Sequence, residues 1–521
     1  MLRTLIPHKT DRLFTPEVVQ LVKALEDRFG ARRLEVLQLG EARRAELRAG
    51  LIAPLEATAA IRQGDWQAAP VPEQLLERRV ELIGGGSRKE LIDGLNAGAK
   101  SYVADLWGMT PNTPSAILRA HKNIERAATL KLAYVDADGN RVRINPGSTT
   151  RLMVAPRPLH AQDHTLEGPA GCHVATFVDL AILICLSGEK LRQRQGGIFL
   201  YLRELGCHEE ARLWDDLLLF LESHQAMPPG TIRATVVMDN LAAVLDADEI
   251  LHGLRQHAAG LAFDPQGFAA DHVALFSAKD RPVMPDREHI GLNAEFLRAA
   301  SLRTIAIAHR RNVHAMGAPA FVLPVDAANS IAPRYLEMIA DKEREAVDGH
   351  DGTLVAHPGL VNAAMAEFNK SMPKAHQIYY KRQLSPDMGE LVRHPQGALT
   401  TEGMQRSIRT VIKALVEYPD HQGLVVQGGR LHDRSSIRLA TALLWHWTQS
   451  NVCFITGTGL EIHAEVVKYL IRKEGEKLYA AQGPELRERA KQAVQLLTRA
   501  VLAPEVPADL PDVPIFGADG Q

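Results

Sequence analysis

The sequence predicts an α/β protein built on a (β/α)8, or TIM, barrel, with a helical region before it and a helical domain after it. Three observations point there. Short apolar runs rich in β-branched residues alternate with helix-like stretches across residues 78–375, the pattern of strands and crossover helices. Residues 1–77 and 376–521 lack those runs and carry helical periodicity instead. The composition is 46% hydrophobic but only 5% aromatic, so the apolar mass comes from Ala, Leu, Val and Ile, as in helix-rich α/β enzymes.

In chain order, Thr15-Pro16 starts a helix, a capping hydroxyl followed by proline in the first turn. Val18, Val19, Leu21, Val22, Leu25 and Phe29 recur at helical spacing, and a second, Arg/Glu-rich helix is expected from about Arg33 toward Leu51. The strand candidates follow: RRVELIG (78–84), SYVADL (101–106), RLMVAP (151–156), GIFLYL (197–202), IRATVVMD (232–239), HVALFS (272–277), APAFVLP (318–324) and GTLVAHPG (352–359). Helices are expected at 209–221 and 247–257. Gly84-Gly85-Gly86 reads as a strand-to-helix turn, too short and badly placed for a phosphate loop. Beyond about residue 375, helices are expected at 403–416, 435–449 and 466–502, ahead of a Pro-rich tail.

Composition excludes several function classes. Lys plus Arg (60) nearly cancels Asp plus Glu (62), and a net charge of −2 gives no field for nucleic acid or an anionic membrane. Cys172, Cys185, Cys207 and Cys453 form no CxxC pair and no disulfide framework. No apolar run approaches the roughly twenty residues of a membrane span, and the N-terminus lacks a signal-like apolar core. The expectation is a soluble, cytoplasmic protein acting on small molecules.

Barrel chemistry sits where strands end. Here the ends carry Asp105, Arg157, Arg203 and Asp239-Asn240, while Asp271 directly precedes the run at 272–277. Carboxylates suit a hard cation such as magnesium, and a guanidinium suits a carboxylate or enolate. Each such Asp is equally suited to capping the next helix. His309-Arg310-Arg311 with His314 suits a phosphate or carboxylate, or a packing role, and His357 ends the eighth run. No GxSxG elbow supports a serine hydrolase.

The segments GDWQAAPVP (64–72), RRVELIG (78–84), LNAGAKSYVADL (95–106), EARLWDDL (210–217), GTIRATVVMDNLAAVLDADEILHGLRQHAAGL (230–261), AHRRNVHAMG (308–317), DKEREAVDGHDGTLVAHPGLV (341–361) and LHDRSSIRLATALLWHW (431–447) carry a resemblance. Through them the chain resembles the malate synthase family, class A type, nearly end to end. The resemblance implies a barrel between an N-terminal helical clasp and a C-terminal helical plug. It implies Claisen condensation of glyoxylate with acetyl-CoA as co-substrate, then thioester hydrolysis to malate and CoA, with Mg2+ as cofactor.

It also implies roles for residues. The family base is the Asp of a Met-Glu-Asp segment ahead of a Trp. Leu431-His432-Asp433 occupies that segment and Trp445 stands at the expected distance, so Asp433 is the implied base. The family's Arg-Pro-Arg-Gly reads Ala155-Pro156-Arg157-Pro158: the arginine facing the enolate is alanine, and Arg157 is the implied substitute. The metal-binding Glu of Ile-Glu-Thr is Asp239, and the Gly-Arg-Trp-Asp loop is rewritten as 262–271, where Asp271 is the implied second ligand and Asp264 the alternative. Phe-Glu-Asp has become Leu106-Trp107-Gly108, a change that suits a larger or less polar substrate. Three functions therefore stand open: a divergent malate synthase, a related acyl-CoA enzyme with another 2-oxo acid, and a non-catalytic CoA-binding paralogue.

Overall fold

A computed structural model of the chain describes residues 3–4, 12–168, 171–276, 282–324, 333–417 and 424–506. Eight parallel strands close into a barrel: β1 (Val80–Gly84), β2 (Ser101–Asp105), β3 (Arg151–Ala155), β4 (Ile198–Leu202), β5 (Ile232–Met238), β6 (Ala258–Phe263), β7 (His314–Ala320) and β8 (Gly352–Val355). Each pairs with its neighbour in sequence, and β8 returns to β1 through Thr353 opposite Val80. Helices of the βα units cover the outside, as the apolar strands require.

Two expected strands were misplaced. The apolar run at 272–277 lies largely in helix α2 (Pro265–Phe276), and the sixth strand is AAGLAF at 258–263. That strand has no β-branched residue, so it lacks the signal that marks its neighbours. The seventh strand begins at His314 rather than Ala318. The paired helices expected at the N-terminus are one, α1 (Pro16–Arg48), and its cap is as expected, with Thr15 Oγ1 accepting from the Val18 N–H at 3.3 Å.

The chain divides into two compact units. The first comprises Met1–Met238, Ala242–Asp264 and Ser301–Ser385; the second comprises Asp239–Leu241, Pro265–Ala300 and Pro386–Gln521. The barrel belongs to the first. Its interior holds a buried polar network: Arg78 Nε donates to Glu81 Oε1 at 2.8 Å, while its Nη atoms reach Thr235 Oγ1 (3.0 Å) and Tyr201 Oη (2.9 Å). Arg311 is also structural. Its guanidinium stacks 4.1 Å from the Trp66 ring, donates to the carbonyls of Gly64 and Arg62, and pairs with Asp248. His309 bridges Asp351 and the Tyr380 carbonyl. The basic cluster at 309–314 is thus spent on packing, which ties the GDW segment to the barrel wall.

In the second unit α2 (Pro265–Phe276) packs on α4 (Arg434–Gln449), with α3 (Thr401–Glu417), α5 (Ala464–Tyr479) and α6 (Pro484–Val501) alongside. The expected 466–502 helix is two, interrupted before Pro484. Trp447 Nε1 donates to the Met284 carbonyl (2.7 Å), and His446 Nε2 accepts from the Met284 N–H (3.1 Å). Among the described residues no helix is long and apolar enough to cross a membrane.

Candidate active site

Every barrel strand delivers its last residue to one rim, so the side chains at 105, 155, 203 and 264 share the C-terminal mouth. Ala155, the last residue of β3, is fully buried beside Asp105 of β2, its register partner. Asp105 Oδ1 accepts the Trp107 and Gly108 N–H groups at 2.9 and 2.8 Å. Its Oδ2 faces Arg203 Nε at 3.3 Å, and Arg203 Nη1 reaches Asp264 Oδ2 at 3.5 Å. One guanidinium, carried just past β4, thus bridges carboxylates from β2 and from the end of β6.

Arg157 is placed differently. Its Nε and Nη2 grip Asp179 at 3.0 and 2.7 Å, Nη2 also meets Asp163 at 2.7 Å, and the side chain is 1% exposed. Burial alone would raise the Asp179 carboxyl, but the Arg157 charge, with a hydrogen bond from His121, holds it down to about 2. The same two carboxylates hold Arg157 protonated against the cost of burial. Such a bidentate, charge-assisted clamp is a structural centre.

Trp107 and Gly108 also serve the frame. Trp107 is buried against Ala161 and Ala175, and its Nε1 donates to Glu204 Oε1 at 2.9 Å. A Cβ at Gly108 would stand 2.6 Å from Asp105 Oδ2, so glycine is what lets this backbone cradle the aspartate.

In the second unit Asp433 is the N-cap of α4: its Oδ1 accepts the Ser436 N–H at 2.9 Å, and it is 1% exposed. The aspartate therefore caps the helix, which fixes its orientation. Around it, Arg287 donates to Ser436 Oγ at 2.7 Å and meets His432 Nδ1 at 3.1 Å, while His432 Nδ1 lies 2.7 Å from Ser436 Oγ. Sequence reasoning gave Arg287 and His432 no role; the partners of Arg287 lie 145 and 149 residues away and leave no local signal. Asp239, just past β5, has its Oδ1 hydrogen-bonded by the Asn240 side chain at 2.9 Å. Asp271 lies inside α2, not before a strand, and its Oδ2 accepts the Leu241 N–H at 3.0 Å.

A family model described as malate synthase, TIM barrel domain, matches residues 151–393. The chain is 32% identical over 438 residues to a malate synthase of Myxococcus xanthus, covering 84% of this chain and 81% of that one. It is 30% identical to a malate synthase of Streptomyces clavuligerus over 98% of this chain and 96% of the relative. A malate synthase of Arabidopsis thaliana is 30% identical, with 95% and 90% covered. The chain belongs to the malate synthase family. Ala155 and residues 106–108 lie at the barrel mouth described above, and Asp433 caps α4.

Magnesium is the metal this family implies. The donors at Asp239 and Asp271 are all hard oxygen, and the Leu241 N–H holds the Asp271 carboxylate beside the segment that carries Asp239. Among the described residues no group of three or more His, Cys, Asp or Glu is placed to hold a metal. One or two carboxylates completed by substrate oxygens and water is an ordinary magnesium set, so the residues fit the ion. Asp264, the alternative ligand, instead faces Arg203.

Proposed function

We propose that this chain condenses acetyl-CoA with glyoxylate and hydrolyses the product thioester, giving malate and CoA. The observation that carries the reading is the 30% identity sustained over 98% of the chain with a relative named malate synthase. Retention of Asp433 at a helix cap supports it.

In this mechanism Asp433 takes a proton from the acetyl methyl group. The C–H electron pair becomes the enolate, whose carbon attacks the aldehyde carbon of glyoxylate. The aldehyde π pair moves to its oxygen, which then takes up a proton. Water adds to the thioester carbonyl, the C–S bond breaks, and the sulfur leaves as CoA thiolate. Asp239 and Asp271 would hold Mg2+, which when bound polarises the aldehyde and orients the 2-oxo acid. His432, Ser436 and Arg287 keep the base in place through the cap of α4.

A second reading keeps the mechanism but takes another 2-oxo acid, and the loss of arginine at Ala155 favours it. Exchange of acetyl methyl protons for deuterium, followed by NMR with glyoxylate or pyruvate as acceptor, separates the two. Malate as product supports the first reading; a product only from pyruvate replaces it with the second. Asp433→Asn keeps a capping side chain and is expected to slow exchange about 100- to 10,000-fold, the range for a lost general base. Unchanged exchange in a folded D433N protein would remove Asp433 from the mechanism.

A further inference from the structure

We propose that residues 507–521, which lie outside the described residues, fold back onto the second compact unit and seat Val513, Ile515 and Phe516 in an apolar groove beside α5. The inference concerns the C-terminal helical domain alone and stands apart from the condensation reading.

A groove of about 380 Å³ opens between the N-terminal half of α5, the start of α3 and the loop at 451–462. Its wall is apolar: Ile455, Ile462 and Leu470 are buried, Val466 is partly covered, and Leu460 and Tyr469 are 48% and 50% exposed. Large apolar side chains left facing water at a concave site are what a matching apolar segment covers at a gain.

The path of the chain leads there. α5 and α6 pack along one another across the turn at 480–483, with Val494 so close to Gly475 that a Cβ there would overlap it. α6 therefore runs back toward the start of α5, where the groove lies. Its end is fixed on α4: Gln449 Nε2 donates to the Val501 carbonyl at 3.1 Å, and Trp445 Nε1 to the Ala503 carbonyl at 2.9 Å. From Gln449 to Ile455 of the groove wall the backbone spans at most about 21 Å, whereas from Ala503 to Phe516 it reaches up to about 45 Å.

Charge and stiffness match as well. The segment PADLPDVPIFGADGQ carries Asp509, Asp512 and Asp519 and no Lys or Arg. At the groove, Lys473 Nζ and Arg472 Cζ stand 5.6 and 5.8 Å from the centroid of the Tyr469 ring, and both side chains are exposed. Lys468, beside Tyr469, adds a third cation, paired with Glu465 at 2.7 Å. An apolar slot rimmed by cations is complementary to apolar residues spaced between carboxylates. Pro507, Pro511 and Pro514 fix φ and so lower the entropy lost when an extended segment is seated. A stable pair of copies would need about 800 Å² from each partner, more than one groove of this size offers, so the chain's own tail is the better fit.

The test is hydrogen exchange on the full chain, with a synthetic 507–521 peptide as the unprotected reference. Proline has no amide, so the readout falls on Leu510, Val513, Ile515 and Phe516. These amides are expected to exchange at least about tenfold more slowly in the chain than in the peptide, the protection of a segment docked most of the time. Ile515→Asp/Phe516→Asp and, in the groove, Leu460→Asp are each expected to abolish that protection, while the amides of α4 keep theirs. Tail amides exchanging at the peptide rate in wild type overturn the proposal, and this comparison needs no variant to fold. Protection that survives in a folded L460D protein overturns the groove as the site. Protection that disappears on hundredfold dilution gives the groove to a second copy and overturns the tail as its occupant.

Discussion

Two arginines on adjoining segments of one rim are each held by two carboxylates. Arg157 has Asp163 and Asp179 within 2.7 Å and is buried, so its removal strands two carboxylates in the interior. Arg157→Ala is expected to cost about 3–5 kcal/mol, the usual price of leaving a buried charge unpaired, read as a lower denaturation midpoint. Normal stability with lost activity would mean that Arg157 faces substrate after all. From the sequence, Arg157 was the implied substitute because it lies nearest Ala155 in the motif. Asp163 and Asp179, which claim it, lie 6 and 22 residues away, and a linear reading of one motif has no access to them. As a helix cap Asp433 was legible, because capping geometry is local in sequence.

At the scale of elements, strands with β-branched residues were legible and the one without was not. AAGLAF at 258–263 is an interior strand filled with small residues, whereas HVALFS is an apolar helix face; short apolar runs of this length do not reveal their period. The error displaced the end of β6 and with it the reason for preferring Asp271. Helix His208–His224 is tied to the starts of β5 and β6 by one histidine. His257 Nδ1 lies 2.6 Å from Asp215 Oδ1 and its Nε2 lies 3.2 Å from Glu222 Oε2, while Glu222 Oε1 accepts the Ile232 N–H at 2.7 Å. Burial opposes its charge, but the hydrogen bonds its ring donates to the two carboxylates outweigh burial and raise it from 6.5 to about 9. A raised folded value means that this stabilisation is fully present below pH 6.5 and is lost as pH climbs through about 9. Unfolding free energy is expected to fall along that limb by an amount on the order of 2–3 kcal/mol, and His257→Asn to flatten it. An identical slope in the variant would assign the titration elsewhere.

For the whole molecule, the barrel and its flanking helices were legible from alternation alone, and the family from long matching blocks. What the sequence could not give was the pairing of side chains across the mouth, because Asp105, Ala155, Arg203 and Asp264 are brought together only when the strands close in order. On the proposed reading, this chain runs the family condensation with alanine at 155. The direct measurement is CoA release from acetyl-CoA, with glyoxylate and magnesium added or withheld in turn. Release is expected to require glyoxylate and to stop when a chelator removes magnesium. A folded protein that releases no CoA under any of these conditions, or releases it equally without glyoxylate, would contradict it.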